Sequence, residues 1–491
     1  LLDLGMDEIS GWDLTRALCV SNNGNTLAGY GKDPSGNWTG WIIKIITGEA
    51  PGETLLVPSQ YATIQDAINA SENRDTILVA PGTYQENINY SGKNIMIGSY
   101  ALIYGSEETF MHQTIIDGGG NGSVVIMNSG EDSSAVLFGF TIQNGNAEFG
   151  GGIMIESSEP TFEYLFIKNN TADYGGGVYA RYEGEPVFNH VTVIENTAGQ
   201  GGGMRFRDNA NPIISNCTIK WNISSVAGGG IYCNNADPEI SYTSIIANVA
   251  NEGGDAVYLK INCEANFMNT TFVSNGSPES DTSSAVFCVT NCSALFTNAI
   301  LWGNLGPEIE FSSTSNPNFV TVNYSELEDG QNGIVTNDNG TISWLDGNIN
   351  ENPLFCNSWD WDFSLAEDSP CVGTGIAGNN MGAFDVGCGP MMSINDDLPT
   401  QFSLKQNYPN PFNPTTTIEY SLARDTFVDL AIYDVAGRKV KSLVNFFQSQ
   451  GKFYVEWDGK NDFGISMPAG IYFIRLQTKG HRESRKMLFL K

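Results

Sequence analysis

Positive charge is scarce in this chain: 24 Lys and Arg stand against 55 Asp and Glu, a formal net charge of −31. So acidic a molecule repels phosphate backbones and anionic lipid, which excludes nucleic acid and anionic membrane surfaces as general partners. Histidine is nearly missing, with only His112, His190 and His481 in 491 residues. Ser-His-Asp or Cys-His catalysis and zinc binding therefore lack their usual base or ligand. The nine Cys are dispersed without a CxxC pair, which excludes a dense disulfide scaffold. No apolar run approaches the ~18 residues of a helical membrane span. The chain opens Leu1-Leu2-Asp3, without initiator Met or secretory leader, and reads as a fragment or processed form.

What is plentiful is glycine, 55 residues, together with 26 Phe, 19 Tyr and 9 Trp to bury. Abundant Gly with only 16% charged residues suits a turn-rich all-β protein and argues against long disorder. Internal repetition is the strongest signal. Asn144, Asn170, Asn196, Asn222 and Asn248 recur every 26 residues, as do Pro160, Pro186, Pro212 and Pro238. Gly triplets start at 150, 175, 201 and 228. Within each unit apolar positions alternate: Ile153, Val178, Met204 and Ile231 lie three residues after the first Gly, and Ile155, Ala180, Phe206 and Cys233 five after. The period of 2 marks short strands. Twenty-six residues are too few for a propeller blade of ~40–45. Three short strands and three turns close one coil, and coils stacked ~4.8 Å apart align the apolar positions into ladders. The expected fold is a parallel β-helix over about 76–345, with the Asn column bonding coil to coil.

This 26-residue Asn/Gly pattern resembles the right-handed β-helix proteins of the pectin-lyase-like superfamily. Val57-Pro58-Ser59-Gln60-Tyr61-Ala62-Thr63-Ile64 with Ala80-Pro81-Gly82-Thr83-Tyr84 resembles the opening of such domains, and Asn352-Pro353-Leu354-Phe355 with Met381-Gly382-Ala383-Phe384 their close. The resemblance covers residues 54–390 and implies an opening cap helix, on which Ile64, Ala67 and Ile68 share one face. It leaves activity open, because that superfamily holds lyases, hydrolases, esterases and adhesins.

Charge marks the C-terminal boundary. Residues 399–491 carry 13 Lys and Arg and 8 Asp and Glu, while residues 1–398 carry 11 and 47. The break suits a linker at 391–400. Beyond it, runs at 416–422, 428–433, 439–444, 453–457, 471–477 and 484–490 read as strands of a small Ig-like β-sandwich. Asn407-Tyr408-Pro409-Asn410-Pro411-Phe412-Asn413-Pro414-Thr415, with Trp457-Asp458-Gly459 and Gly470-Ile471-Tyr472, makes 401–491 closely resemble the type A C-terminal sorting domain of the type IX secretion system. That resemblance implies a Gram-negative, Bacteroidota-like source and release to, or attachment at, the outer surface. Residues 1–48, with Gly29-Tyr30-Gly31 and Trp38-Thr39-Gly40-Trp41, resemble one HAF-type extracellular repeat.

Catalytic motifs are thin. Gly82-Thr83-Tyr84-Gln85-Glu86 is similar to the first motif of pectin methylesterases, whose remaining motifs are missing, as is the polygalacturonase set. Asp173, Glu195 and Asp208 lie within coils but form no pair in one outward column. No cofactor is expected; Asn337-Asp338-Asn339-Gly340 offers one carboxylate, too few for an EF-type Ca²⁺ loop. Cys263 and Cys292 align in successive units, so a disulfide or a pair of stacked thiols is expected there. Arg205 lies in an outward column with Tyr179 and Tyr232, and Arg181 and Arg207 in the column beside it. These guanidinium groups could pair with uronate or sulfate of a glycan; exposed ion pairs with neighbouring acids are the alternative. Two functions follow: a secreted or surface polysaccharide-binding or adhesin β-helix, or a lyase or hydrolase acting on an acidic glycan along its face.

Overall fold

The computed structural model describes residues 13–20, 26–32, 38–44, 52–104, 108–277, 282–314, 316–390, 399, 401–462 and 464–490. The expected linker at 391–400 lies, apart from Pro399, outside them. Two compact units emerge, Leu1–Gly52 and Glu53–Lys491. In the first, Asp13–Val20, Thr26–Lys32 and Trp38–Lys44 form an antiparallel three-stranded meander in chain order.

The second unit is a right-handed parallel β-helix followed by a small antiparallel Ig-like sandwich. One coil runs through Val178–Arg181 on a first face, Val187–Asn189 on a second and Thr192–Ile194 on a third. Thr197–Gln200 then forms a fourth strand, part of a five-stranded side sheet that the sequence pattern did not announce. Each strand pairs in parallel with its equivalent in the next coil, as Val178, Ala180 and Arg181 do with Met204, Phe206 and Arg207. The alternating apolar positions point inward as expected: Val178, Ala180, Phe188 and Val193 are at most 1% exposed, in one core that extends from Leu55 to Ile334. Left-handed corners separate the faces. Tyr164, His190, Asn216 and Tyr242 turn from second to third face at φ of 54°, 55°, 54° and 47°. Glycine is required where the side sheet re-enters the first face: a Cβ on Gly176 would stand 2.4 Å from the Gly202 carbonyl oxygen of the next coil.

The opening helix, Ile64–Ala70, buries Ile64, Ala67 and Ile68 on the first coil. Thr63 caps it by accepting from the Asp66 N–H at 3.0 Å.

The Asn column forms a buried ladder. Asn196 Oδ1 accepts from both the backbone N–H and Nδ2 of Asn170, each at 3.0 Å. Asn222 and Asn248 repeat the pattern at 3.0 Å, and Asn275 and Asn304 extend it. Each Nδ2 also donates to a core-strand carbonyl, Asn222 to Val193 O at 2.9 Å. Asn144 is not a rung. The coil there is one residue shorter, so Thr141, Ile142 and Gln143 pair with Phe166, Ile167 and Lys168 at an offset of 25. Asn144 therefore stacks under Asn169 in the left-handed corner at φ 58°. Gly145 takes the ladder position, and its N–H reaches Asn170 Oδ1 at 2.8 Å.

The sandwich pairs a three-stranded sheet (Ser403–Leu404, Thr416–Leu422, Gly451–Trp457) with a four-stranded one (Thr426–Asp434, Lys439–Gln448, Gly470–Thr478, His481–Phe489). It closes over Trp457, Tyr420 and Ile474. It docks on the third face of the last coils through an apolar cluster that joins Val273, Ile300 and Trp302 to Phe427 and Phe447. The third-face outward column explains the place of docking. It reads Lys168, Ile194, Lys220, Ile246, Val273, Trp302 along successive coils, so polar residues give way to apolar ones where the cover begins.

Candidate functional site

The outward Tyr and Arg residues of the first face do not form an open surface. Tyr179 is 0%, Tyr232 1% and Arg205 5% exposed. The cause is the side sheet, which folds back over that face and lays Phe149 and Tyr174 across it: the Tyr179 ring lies 5.0 Å from Phe149. Arg205 sits among three rings, 4.3 Å from the centroid of Tyr174, 4.9 Å from Tyr232 and 5.8 Å from Tyr179. No acid pairs with it among the described residues, and burial pulls its guanidinium below the ordinary arginine value. Its Nε has no hydrogen-bond partner there. The column is thus a cation enclosed by aromatic faces. The other two guanidinium groups are taken up by acids, Arg181 by Glu156 at 3.2 Å and Arg207 by Asp208 at 2.7 Å. A uronate-binding face built from all three Arg lacks the open cations it needs.

Cys263 and Cys292 do stand at one site of successive coils, flanking the pair Glu264 and Ser293. They are buried thiols, not a bridge. Parallel strands hold stacked Cβ atoms about 4.8 Å apart, wider than the ~3.8 Å a disulfide prefers. Each thiol donates to a carbonyl of its own strand, Cys263 to Ile261 O and Cys292 to Thr290 O, both at 3.3 Å, and the neighbouring Cys292 thiol lowers that of Cys263 against the effect of burial. Among the described residues a disulfide lies elsewhere, between Cys356 and Cys388 in the closing segment. Those two residues belong to no repeat, so the 26-residue step carries no signal for them.

The remaining motif residues serve structure. Glu86 accepts from the Ile64 and Gln65 N–H groups, both at 3.0 Å, and so caps the opening helix where a carboxylate is favoured. Asp173 lies on the side sheet, Glu195 at the corner after the third face and Asp208 after the first, so these acids do not converge. In the 337–340 loop the Asn337 amide donates to Phe311 O at 2.7 Å, stitching that turn to the coil before it. Among the described residues no group of three or more His, Cys, Asp or Glu could hold a metal.

One surface feature went unread in the sequence although the same period carries it. The corner between second and third faces presents Tyr164, His190 and Tyr242, separated by 26 and 52 residues. Tyr164 and His190 stack at 4.7 Å with planes 14° apart, Phe138 lies 5.2 Å below, and Tyr242 is 51% exposed two coils on. Beside them Asn216 Nδ2 donates to Asn189 Oδ1 at 3.0 Å. The result is a stripe of rings and amides parallel to the helix axis.

Comparison with known proteins agrees with this architecture. A model of the right handed beta helix region matches residues 99–242, and a model of the FlgD Ig-like domain matches residues 413–481. No curated protein matches the chain. Among solved structures, pectin methylesterase from carrot is similar at 10% identity and a TM-score of 0.28, over 61% of this chain and 90% of that one. That likeness is too low to bear on activity. Among the described residues no helix is long and apolar enough to cross a membrane.

Proposed function

We propose that the chain is a polysaccharide-binding β-helix of the bacterial surface or surroundings, exported through its C-terminal domain. The observation that carries the binding role is the ring stripe at the corner of Tyr164, His190 and Tyr242. Aromatic rings on a line along the coils, with the Asn216 amide between His190 and Tyr242, suit a polymer of sugar rings and its hydroxyls. Residues 1–398 hold 11 Lys and Arg against 47 Asp and Glu, so a neutral glycan is favoured over a uronate polymer. Binding rather than lysis is the reading because Arg205 is enclosed and Arg181 and Arg207 are paired. The export role rests on the likeness of 401–491 to type IX sorting domains, and the surface location follows from it; the HAF-type likeness of residues 1–48 fits an extracellular setting. On an array of neutral and acidic glycans the full chain should bind neutral polymers. Tyr164→Ala with Tyr242→Ala should weaken that binding at least tenfold, and unchanged binding would remove the stripe from consideration. Fusing 401–491 to a reporter in a type IX-competent host tests export; a reporter left in the periplasm refutes it.

A further inference from the structure

At the corner between third face and side sheet, successive coils place Glu195, Trp221, Ala247, Ser274 and Gly303 in the left-handed region, at φ from 52° to 69°. After Trp221 this column carries only small residues, Ala247, Ser274 and Gly303, and at Gly303 the sandwich touches: a Cβ there would stand 2.0 Å from the Phe447 ring. The small residues leave a wedge. Where Phe447 packs it is closed, and two coils back it opens into a cavity of about 240 Å³.

We infer that this cavity is a binding site for a single neutral pyranose, a chain end or a free sugar, held jointly by the β-helix and the C-terminal sandwich. Trp221 from the helix and Trp361 from the closing segment meet at 5.2 Å with planes 86° apart, forming a wall and a floor for one ring. The sandwich contributes Asp429 and Asn445, opposite one another on paired strands, with Lys439 Nζ 4.0 Å from the Asp429 carboxylate. One positive and one negative group leave the pocket without net charge, which selects hydroxyls over a carboxylate or sulfate. Ser274 adds an independent observation. It is 0% exposed, lines the cavity, and its Oγ has no hydrogen-bond partner among the described residues; an unsatisfied buried hydroxyl is stabilised by a ligand hydroxyl. The volume lies below the ~300–1,000 Å³ of sites for drug-sized ligands, enough for one ring and not for an extended chain. This site is separate from the corner stripe, and it makes the sandwich part of a recognition surface.

The test titrates the full chain with methyl β-glucopyranoside, methyl β-galactopyranoside, N-acetylglucosamine and glucuronic acid, reading tryptophan fluorescence and saturation-transfer NMR. At least one neutral sugar should bind in the millimolar range or tighter, and glucuronic acid at least tenfold more weakly. Trp361→Ala should reduce affinity tenfold or more. Should that variant misfold, exposed Asn445→Ala should reduce affinity about threefold, and Ala247→Phe should abolish binding by filling the space. Tyr164→Ala with Tyr242→Ala should leave this titration unchanged, which separates it from the polymer-binding stripe. Absence of binding by every sugar, equal binding of glucuronic acid, or full affinity in Asn445→Ala and Ala247→Phe would overturn the inference.

Discussion

Two outward faces of the same β-helix are both buried, but by different covers. On the first face the chain covers itself, because five successive coils carry a side strand, and these strands fold back over Tyr179, Arg205 and Tyr232. On the third face the cover comes from outside the repeat, as Phe427 and Phe447 of the sandwich seal Val273, Ile300 and Trp302. Self-cover recurs through five coils and encloses a cation. The borrowed cover acts once, at the end, and is mainly apolar with carboxyls at its edge. Pointing away from the core is therefore not the same as facing water.

The largest effect should come from breaking the self-covered part. Asn222→Ala leaves the N–H and Nδ2 of Asn196 without their acceptor and Val193 O without its donor. Stranding three buried groups should cost about 4 kcal/mol, read as a lower midpoint in urea unfolding of the helix. A loss below about 1 kcal/mol would mean that the ladder is decorative.

The borrowed cover breaks by a different change. Gly303→Ala forces a methyl group into Phe447 at a left-handed position, φ 69°, and should weaken docking by about 3 kcal/mol. The helix transition should stay in place while the sandwich becomes more susceptible to proteolytic release at 391–400. A joint shift of both domains would show that they unfold as one.

Acidity sharpens the comparison further. Near the borrowed cover, burial, aided by Glu328, raises the Glu308 carboxyl to about 8, and burial raises Glu326 to about 9. Lys479 and, at Glu328, Arg424 oppose the shift. Both carboxyls lie above the ~4.3 of an unfolded glutamate, so between about pH 5 and 9 the folded chain binds more protons than the unfolded one. Stability near this junction should then fall as pH rises through that window. Glu308→Gln keeps an acceptor for Asn304 and should flatten the decline, leaving the remainder to Glu326. A decline of unchanged slope would assign it to other groups.

The smallest effect should belong to Arg205. Its three rings offset the loss of hydration, so Arg205→Met should change stability by less than about 1 kcal/mol, whereas Arg205→Lys, which keeps the charge and loses the planar stack, should cost more. Equal losses in thermal melts would mean that charge alone matters there.

The repeat was legible because its determinants are local and recur: the Gly entry to the first face, the inward Ile and Val positions, and the Asn rungs from Asn170 onward. Asn144 was misplaced because sequence counts residues and the ladder counts coils, and the first interval is 25. The enclosure of Arg205 could not be read, since the polar Thr171–Tyr174 strand gives no sign that it folds over its neighbour. The Trp221 and Trp361 cavity was invisible for a simpler reason. Its walls come from segments about 140 to 220 residues apart, brought together by the docking of one domain on another.

The Asn ladder also has a direction. Backbone N–H groups fix every Oδ1 toward the preceding coil, and of the two N–H bonds on each Nδ2 one reaches the next rung while the other turns back to a strand carbonyl of the preceding coil. Six side-chain dipoles from Asn170 to Asn304 thus add head to tail along the axis, and their positive pole emerges at Asn304, whose Nδ2 donates to Glu308 at 2.7 Å. The row resembles a wire with a proton-sensitive terminal. Taking a proton from Glu308 strengthens the last bond electrically, and in a cooperative row that polarisation is felt back along the rungs. The far end of the ladder, at Asn170 five coils away, is in this sense wired to the ionisation of one buried carboxyl beneath the C-terminal domain.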